Sequence, residues 1–307
     1  MNPANYSVIS FPALGISLNP PRGFSVGPLY IHFYGLIIAC GLMLAVYYAC
    51  KRSRQAGLDE DTLLDGVLWV TPFAILCARA YYCAFSWSLY KNNPISVLYI
   101  WEGGLAIYGG VLGAAIGVAL FCKIKKCSLP ALLDLVSLGF LIGQSMGRWG
   151  NFFNREAFGD YTNSLFAMAI PTDYYVGKGT LTGMINSGII TSEMANHMQV
   201  YDGMQWITVH PTFLYESVWN LILLIVIFIY RKHKKFDGEI FLMYLWGYGL
   251  GRVWIEGLRS DSLMLPFFNM KVSQMIAAIC VLACSVLIVK KRMDTVKKQA
   301  PAGKKEQ

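Results

Sequence analysis

The chain has 307 residues, 55% of them hydrophobic and only 14% charged, with mean hydropathy +0.46. That balance excludes an ordinary soluble domain, in which about 25% of residues are charged, and predicts a polytopic membrane protein. The net charge of +8 sits in short segments between apolar runs, with no basic stretch interleaved with aromatics, so it predicts membrane orientation and excludes a nucleic-acid groove.

Residues 1–29 are rich in Pro and Gly and are expected outside the membrane, along its surface. They lack a basic start followed by an apolar core, so no cleavable signal peptide is expected. Seven apolar segments follow at roughly 30–50, 62–85, 104–122, 131–149, 211–230, 238–257 and 270–290, each near the ~20 residues that cross a bilayer core. Of the 26 Lys and Arg, 17 fall in the loops after the first, third and fifth segments and in the tail, while 6 fall on the opposite side. This asymmetry fits an odd number of spans, with the N-terminus outside and the C-terminus in the cytoplasm. The expected fold is therefore an all-α polytopic membrane protein of seven transmembrane helices. Its membrane domain covers 30–290, with a small extracytoplasmic head insertion at 160–209 and a disordered basic cytoplasmic tail at 291–307. The eight cysteines form no CxxC pair and lie in or beside apolar segments, so neither a disulfide framework nor a metal site is expected.

The first span opens with His32-Phe-Tyr34-Gly at the outer interface. The second carries Asp65 and Arg79, too far apart on one helix to pair, so each must find a partner on another span or in a wet cavity. Gly109, Gly113 and Gly117 recur every fourth residue in the third span, as do Gly139, Gly143 and Gly147 in the fourth. Small residues at this spacing let helices approach closely, and the two spans are expected to pack together and bring Tyr108 near Arg148. The fourth span ends in Gly-Arg148-Trp-Gly-Asn151-Phe-Phe-Asn154-Arg155-Glu156-Ala-Phe-Gly159. A guanidinium, two amides and a carboxylate at a membrane edge can hold an anionic headgroup. The fifth span opens His210-Pro-Thr-Phe-Leu-Tyr-Glu216, with Pro211 suited to a first helical turn. His197, in the preceding loop, reads as a surface residue. Near the end of the sixth span, Arg252 and Glu256 are four apart and share a face.

Three arginines within the apolar spans (Arg79, Arg148, Arg252) cost roughly 8–10 kcal/mol together on insertion scales. Glu216 and Glu256 can neutralise part of that charge. Arg148 and Arg252 both lie at the outer ends of their spans, and a phosphate between them can accept bidentate hydrogen bonds from each planar fork. The residues for a serine hydrolase, a zinc protease or a nucleotide-driven pump are missing. A phospholipid or small-anion transporter using the same arginines, and a non-catalytic scaffold, are the readings from other classes.

The chain resembles bacterial prolipoprotein diacylglyceryl transferases. Residues 147–159 match that family's pattern G-R-x-G-N-F-x-N-x-E-x-x-G at every fixed position, and HFYG at 32–35, Asp134, HPTFLYE at 210–216 and GRVWIEGLR at 251–259 support it. The resemblance covers about 25–290. It implies transfer of the diacylglyceryl group of phosphatidylglycerol to the lipobox cysteine of an exported preprolipoprotein, in the bacterial cell membrane at its outer leaflet, with no cofactor. It carries over Tyr34, Arg148, Asn151, Glu156, Arg252 and Glu256; Asn154 and Gly159 of the same motif are expected to bind substrate with them, and Arg148, Arg252 and Glu156 also to take part in the chemistry. The family has a histidine after the glycines of the third span where this chain has Tyr108. Tyr108, His210, His32 and Glu156 therefore remain alternative groups for handling the thiol proton, alongside ionisation of the thiol in the arginine field.

Overall fold

The computed structural model describes residues 8–172, 181–186, 188–201, 203–260 and 271–299. Lys178 and the end of the basic tail lie outside them. Strands β1 (Ile9–Phe11), β2 (Ile16–Leu18), β3 (Gly23–Val26) and β4 (Leu29–His32) precede helices α1 (Phe33–Arg52), α2 (Glu60–Phe85), α3 (Trp87–Tyr90), α4 (Ile107–Lys125) and α5 (Leu129–Asn154). Then come β5 (Met168–Pro171), α6 (Leu181–Asn186), α7 (Ser192–Asn196), β6 (Gln199–Tyr201), β7 (Met204–Val209), α8 (Thr212–Tyr230), α9 (Glu239–Leu258) and α10 (Val272–Gln299). Among the described residues, six helices, α1, α2, α4, α5, α8 and α10, are long and apolar enough to cross a membrane. The 20-residue α9 carries Glu239, Arg252 and Glu256.

The expectation of an all-α chain is corrected. The N-terminal segment and the insertion after α5 build one antiparallel sheet in the order β2-β1-β5-β7-β6, and β3 and β4 form a separate hairpin. Ile9 and Phe11 of β1, Met168 and Ile170 of β5, and Ile207 and Val209 of β7 turn inward onto Met184, Ile190 and Met194. Phe152 at the end of α5 and Phe213 at the start of α8 complete this core, their rings 4.9 Å apart. The sheet is thus continuous with the two helices that enter and leave it, which sets the direction of both.

The chain divides into two compact units, residues 1–44 with 140–307, and residues 45–139. In the second unit Asp59 caps α2 by accepting from the Thr62 N–H at 2.9 Å, with Glu60 and Asp61 in the first turn as the helix dipole favours. The glycine stripe of α4 does not serve α5 as expected. A Cβ on Gly109 or Gly113 would collide with the backbone and side chains of Cys77, Ala78 and Tyr81, so α4 lies backbone to backbone on α2. The stripe of α5 receives α1 instead, Gly139 against Ala45 and Gly143 against Gly41. Both pairs are close approaches of the small-residue type, but each stripe has a different partner.

Arg79 also finds something other than the expected partner. Its three guanidinium nitrogens donate to the backbone carbonyls of Ser96, Val97, Tyr99, Gly103 and Gly104 at 2.6–3.3 Å. A planar fork with five N–H donors suits this role, and the chain bends to it through Gly103 and Gly104, both at positive φ. Arg79 is therefore the buried hub that shapes the segment leading into α4 and Tyr108. Asp65 pairs with Lys125 at 2.8 Å on the surface. At the far end of α8, the fully buried Glu239 accepts from Arg292 of α10 at 2.6 Å and from the Lys235 N–H at 2.5 Å. Helix α10 runs through that contact to Gln299, so the expected tail boundary at 291 falls inside a helix.

Arg79→Lys keeps the charge but not the fork, and leaves several carbonyls without their donors. We expect it to lower the melting temperature in detergent clearly, at a cost of about 1.5–3 kcal/mol for each charged hydrogen bond lost without replacement. Lys125→Ala, which opens an exposed pair worth under about 1 kcal/mol, should barely move the same transition.

Candidate active site

The last turn of α5 builds the first half of the site. Arg155 and Ala157 adopt left-handed φ values of 52° and 56°. The Arg155 N–H bonds the Phe152 carbonyl, and the Glu156 N–H reaches back to the Asn151 carbonyl at 3.0 Å. This is a left-handed helix ending, in which the residue two past the helix is folded back over its last turn. The fold-back puts the Glu156 carboxylate within reach of two amides: Asn151 Nδ2 donates to Glu156 Oε1 at 3.1 Å and Asn154 Nδ2 at 3.3 Å. The spacing of Asn151, Asn154 and Glu156 thus makes one polar cluster. Arg155 belongs to the scaffold instead. Only 1% exposed, it donates to the carbonyls of Phe153 and Pro20 and ties the N-terminal segment to the helix end.

Arg148, one turn below Asn151, begins an ionic chain through three helices. Its guanidinium meets Glu216 Oε1 of α8 at 2.5 Å. The other oxygen of Glu216 meets Arg252 of α9 at 3.3 Å, and Arg252 meets Glu256 at 2.7 Å. Glu216 and Glu256 are buried, at 3% and 2% exposure, while the arginine side chains keep 22% and 18%. The carboxylates therefore grip the two cations from the inside and leave their rims accessible. One carboxylate spanning two guanidinium groups also fixes how far apart they stand. Sequence reading had assigned Glu216 only to charge neutralisation; its place in the HPTFLYE run was the available signal for more.

Neutral contacts lock the same three helices. Trp149 donates to Ser217 Oγ, which donates to the Ser145 carbonyl, joining α5 to α8. Trp219 donates to the Gly247 carbonyl at 2.9 Å, and Gly251 leaves room for its indole, joining α8 to α9. Gln144 donates to the Tyr244 hydroxyl at 2.9 Å, joining α5 to α9. Lys271 caps α9 by donating to the carbonyls of Glu256, Gly257 and Arg259, where the helix dipole favours a cation.

Tyr34 packs its ring on the backbone of Gly150, where a Cβ would stand 2.7 Å from the ring. This brings it beside the motif helix. Gly159 sits where three segments meet. Its N–H bonds the His210 carbonyl, it bridges Arg259, and a Cβ there would stand 2.7 Å from both His210 Cβ and the Leu258 carbonyl. Close packing accounts for this glycine. His210 follows directly on β7 and is held by the Asp160 carbonyl at 3.0 Å. Its Nδ1 shares a 3.3 Å hydrogen bond with the Tyr215 hydroxyl. Burial pushes the imidazole below its ordinary pKa, with the Asp160 carboxylate pulling the other way. Tyr108, in the first turn of α4, belongs to the second unit and is about half exposed. His32 ends β4 and is exposed, and its ring meets Tyr30 edge-on.

A model of the family described as Prolipoprotein diacylglyceryl transferase matches residues 21–290. The chain belongs to that family. Among its relatives named phosphatidylglycerol–prolipoprotein diacylglyceryl transferase, the Bacillus licheniformis protein is 38% identical over 272 residues, covering 89% of this chain and 92% of the relative. The Clostridium novyi protein is 40% identical over 270 residues, covering 88% and 95%, and the Limosilactobacillus reuteri protein 38% over 278 residues, covering 90% and 92%. The match bears out the resemblance read from residues 147–159 and places the ionic chain of α5, α8 and α9 inside a diacylglyceryl transferase family member.

Two substitutions separate packing glycines from open ones. Gly159→Ala should destabilise the protein strongly, since the new methyl meets backbone and a β-carbon; Gly147→Ala, with nothing within 4 Å, should leave the thermal transition unchanged. Glu216→Gln removes the shared anion between two partly buried cations, a class of change that costs about 3–5 kcal/mol when a pair is fully buried. We expect a lower melting temperature than for Glu256→Gln, which leaves the Arg148–Glu216–Arg252 bridge intact.

Proposed function

We propose that the protein transfers the diacylglyceryl group of phosphatidylglycerol to the lipobox cysteine of exported preprolipoproteins. The observation that carries the reading is the Arg148–Glu216–Arg252 bridge, present in a chain that belongs to the transferase family. In this reading α9 is the seventh span. The N-terminus lies outside and the C-terminus in the cytoplasm, as the Lys and Arg asymmetry requires. The sheet-bearing segment forms an extracytoplasmic head, and the site faces the outer leaflet of the bacterial cell membrane.

The reaction joins the cysteine sulfur to the glycerol carbon that bears the phosphate. The carbon–sulfur bond forms as the carbon–oxygen bond breaks, the electron pair leaves on the phosphate oxygen of glycerol phosphate, and the thiol proton passes to a base. Negative charge grows on the departing phosphate. Two guanidinium groups already oriented by Glu216 and Glu256 meet that charge without reorganising, which is the main source of such stabilisation. Their accessible rims bind the phosphate oxygens. Tyr34, Asn151, Asn154 and Glu156 orient the polar headgroup, and Glu256 fixes Arg252.

A free thiol near pKa 8.5 needs roughly 2 kcal/mol to ionise at pH 7. A neutral imidazole is suited to take that proton, whereas a neutral phenol is a poor base. His210 is held at the mouth of α8, and burial favours its neutral form.

Mass spectrometry of a lipobox peptide incubated with purified protein and phosphatidylglycerol tests the reaction. A diacylglyceryl adduct on the cysteine is expected, absent with a Cys→Ser peptide and reduced about 10²-fold or more by Arg148→Lys. An unmodified peptide from folded, lipid-binding protein would overturn the reading, and lipid flux in proteoliposomes would then favour a transporter. For the base, the pKa shift has a definite sign. A lowered His210 pKa keeps the ring neutral to lower pH, so the acid limb of kcat/KM should fall below about 6.5, the ordinary histidine value, and vanish in His210→Gln. Full turnover by His210→Ala together with loss in Tyr108→Phe would exclude the imidazole.

A further inference from the structure

Beneath the ionic chain lies a second polar layer. On α5, α8 and α9 the residue four positions further from the motif end is polar: Gln144 below Arg148, Asn220 below Glu216 and Tyr248 below Arg252. Four residues are one turn on the same face, about 6 Å along the axis. Asn220 lies between Ser217, which faces α5, and Trp219 and Leu223, which face α9 at Gly247. It is fully buried. Among the described residues no hydrogen bond reaches Asn220 Nδ2 or Oδ1, and the buried Ser145 Oγ and Gln144 Oε1 are in the same position. Deeper on these helices, Leu141 and Ile227 are buried and apolar.

An unmade donor or acceptor in such a place costs about 1–3 kcal/mol, whereas an apolar side chain of the same shape costs nothing comparable. Stability therefore does not explain Asn220. A polar residue in this position points to a ligand. The reading of the arginines as a phosphate site, on which this step rests, says which one. In a glycerophospholipid held by its phosphate, the next polar groups toward the acyl chains are the ester carbonyls of the glycerol backbone. Those carbonyls only accept hydrogen bonds, and Asn220 Nδ2 and Ser145 Oγ supply donors one turn below the phosphate. Asn220 and the Ser145 hydroxyl are shielded from solvent, which suits a carbonyl that arrives with the lipid rather than a water-borne solute.

We propose that Asn220, assisted by Ser145, binds an ester carbonyl of the diacylglyceryl group and positions the glycerol carbon for transfer. It is a substrate-binding residue that selects ester-linked over ether-linked lipid.

The test compares diacyl phosphatidylglycerol with its dialkyl ether counterpart of equal chain length, which lacks the carbonyls. Transfer to a lipobox peptide and lipid retention by native mass spectrometry are both measured. The parent protein should prefer the diester by about 10- to 100-fold in kcat/KM, because the ether leaves buried donors unpaired. Asn220→Leu should fold with an unchanged or higher melting temperature, and its preference should collapse to about 2-fold or less, within the range of one weak contact. Ser145→Ala should reduce the preference in part, and serves if the leucine variant fails to fold. An equal response of the parent to both lipids, or a preference unchanged in folded Asn220→Leu or in Ser145→Ala, would overturn the proposal. Absence of peptide modification with either lipid would count against the transferase reading alone, since diester-selective retention that Asn220→Leu abolishes would still support the carbonyl site.

Discussion

The arrangement depends on one carboxylate. Glu216 is buried in an apolar bundle and holds a different arginine on each of its oxygens. Alone, any of the three charges would be expensive at that depth. Together they constrain one another, and the helices that carry them cannot slide without breaking a contact. A carboxylate has room for two guanidinium forks on its inner side and none for further cations, so the arginine rims are left to face outward. Charge neutralisation and preorganisation of an anion site are thus the same structural fact.

The rest of the unit serves that constraint at short range. Glycines on α9 let Trp219 lie against the helix that bears Arg252, and Gly150 does the same for Tyr34 on the helix that bears Arg148. The left-handed turn at Arg155 folds Glu156 back over Asn151 and Asn154, which sets a third carboxylate on the two amides that follow Arg148. Lys271 and the Gly159 junction then fix the C-terminal end of α9 against the start of α8. Each device trades side-chain volume or backbone freedom for proximity, and each lies within a few residues of a charged group.

The sheet has a related purpose. It joins the N-terminal strands to the segment between α5 and α8 and buries Phe152 and Phe213 in its own core. The ends of the two helices that present Arg148 and Glu216 are therefore anchored in folded protein. His210, the residue after β7, inherits its position from the register of β5 on β7.

Periodicity, charge and motif spacing made the helices legible in the chain, because a long apolar run has few folded alternatives and a four-residue step defines a face. The same spacing announced that Arg252 and Glu256 pair, whereas the gathering of Asn151 and Asn154 on Glu156 needed the left-handed turn at Arg155. The strands were not legible: they are three to six residues long, one contains Pro171, and β1 pairs with a partner more than 150 residues away. The partners of Arg79 were invisible because backbone carbonyls leave no mark in a sequence. The glycine stripes declared that a close approach occurs and not which helix makes it, since a missing side chain carries no address. Glu216 showed its charge in the sequence, but its sharing between two arginines became visible only in the tertiary structure, where three helices distant in the chain bring their charges to one point.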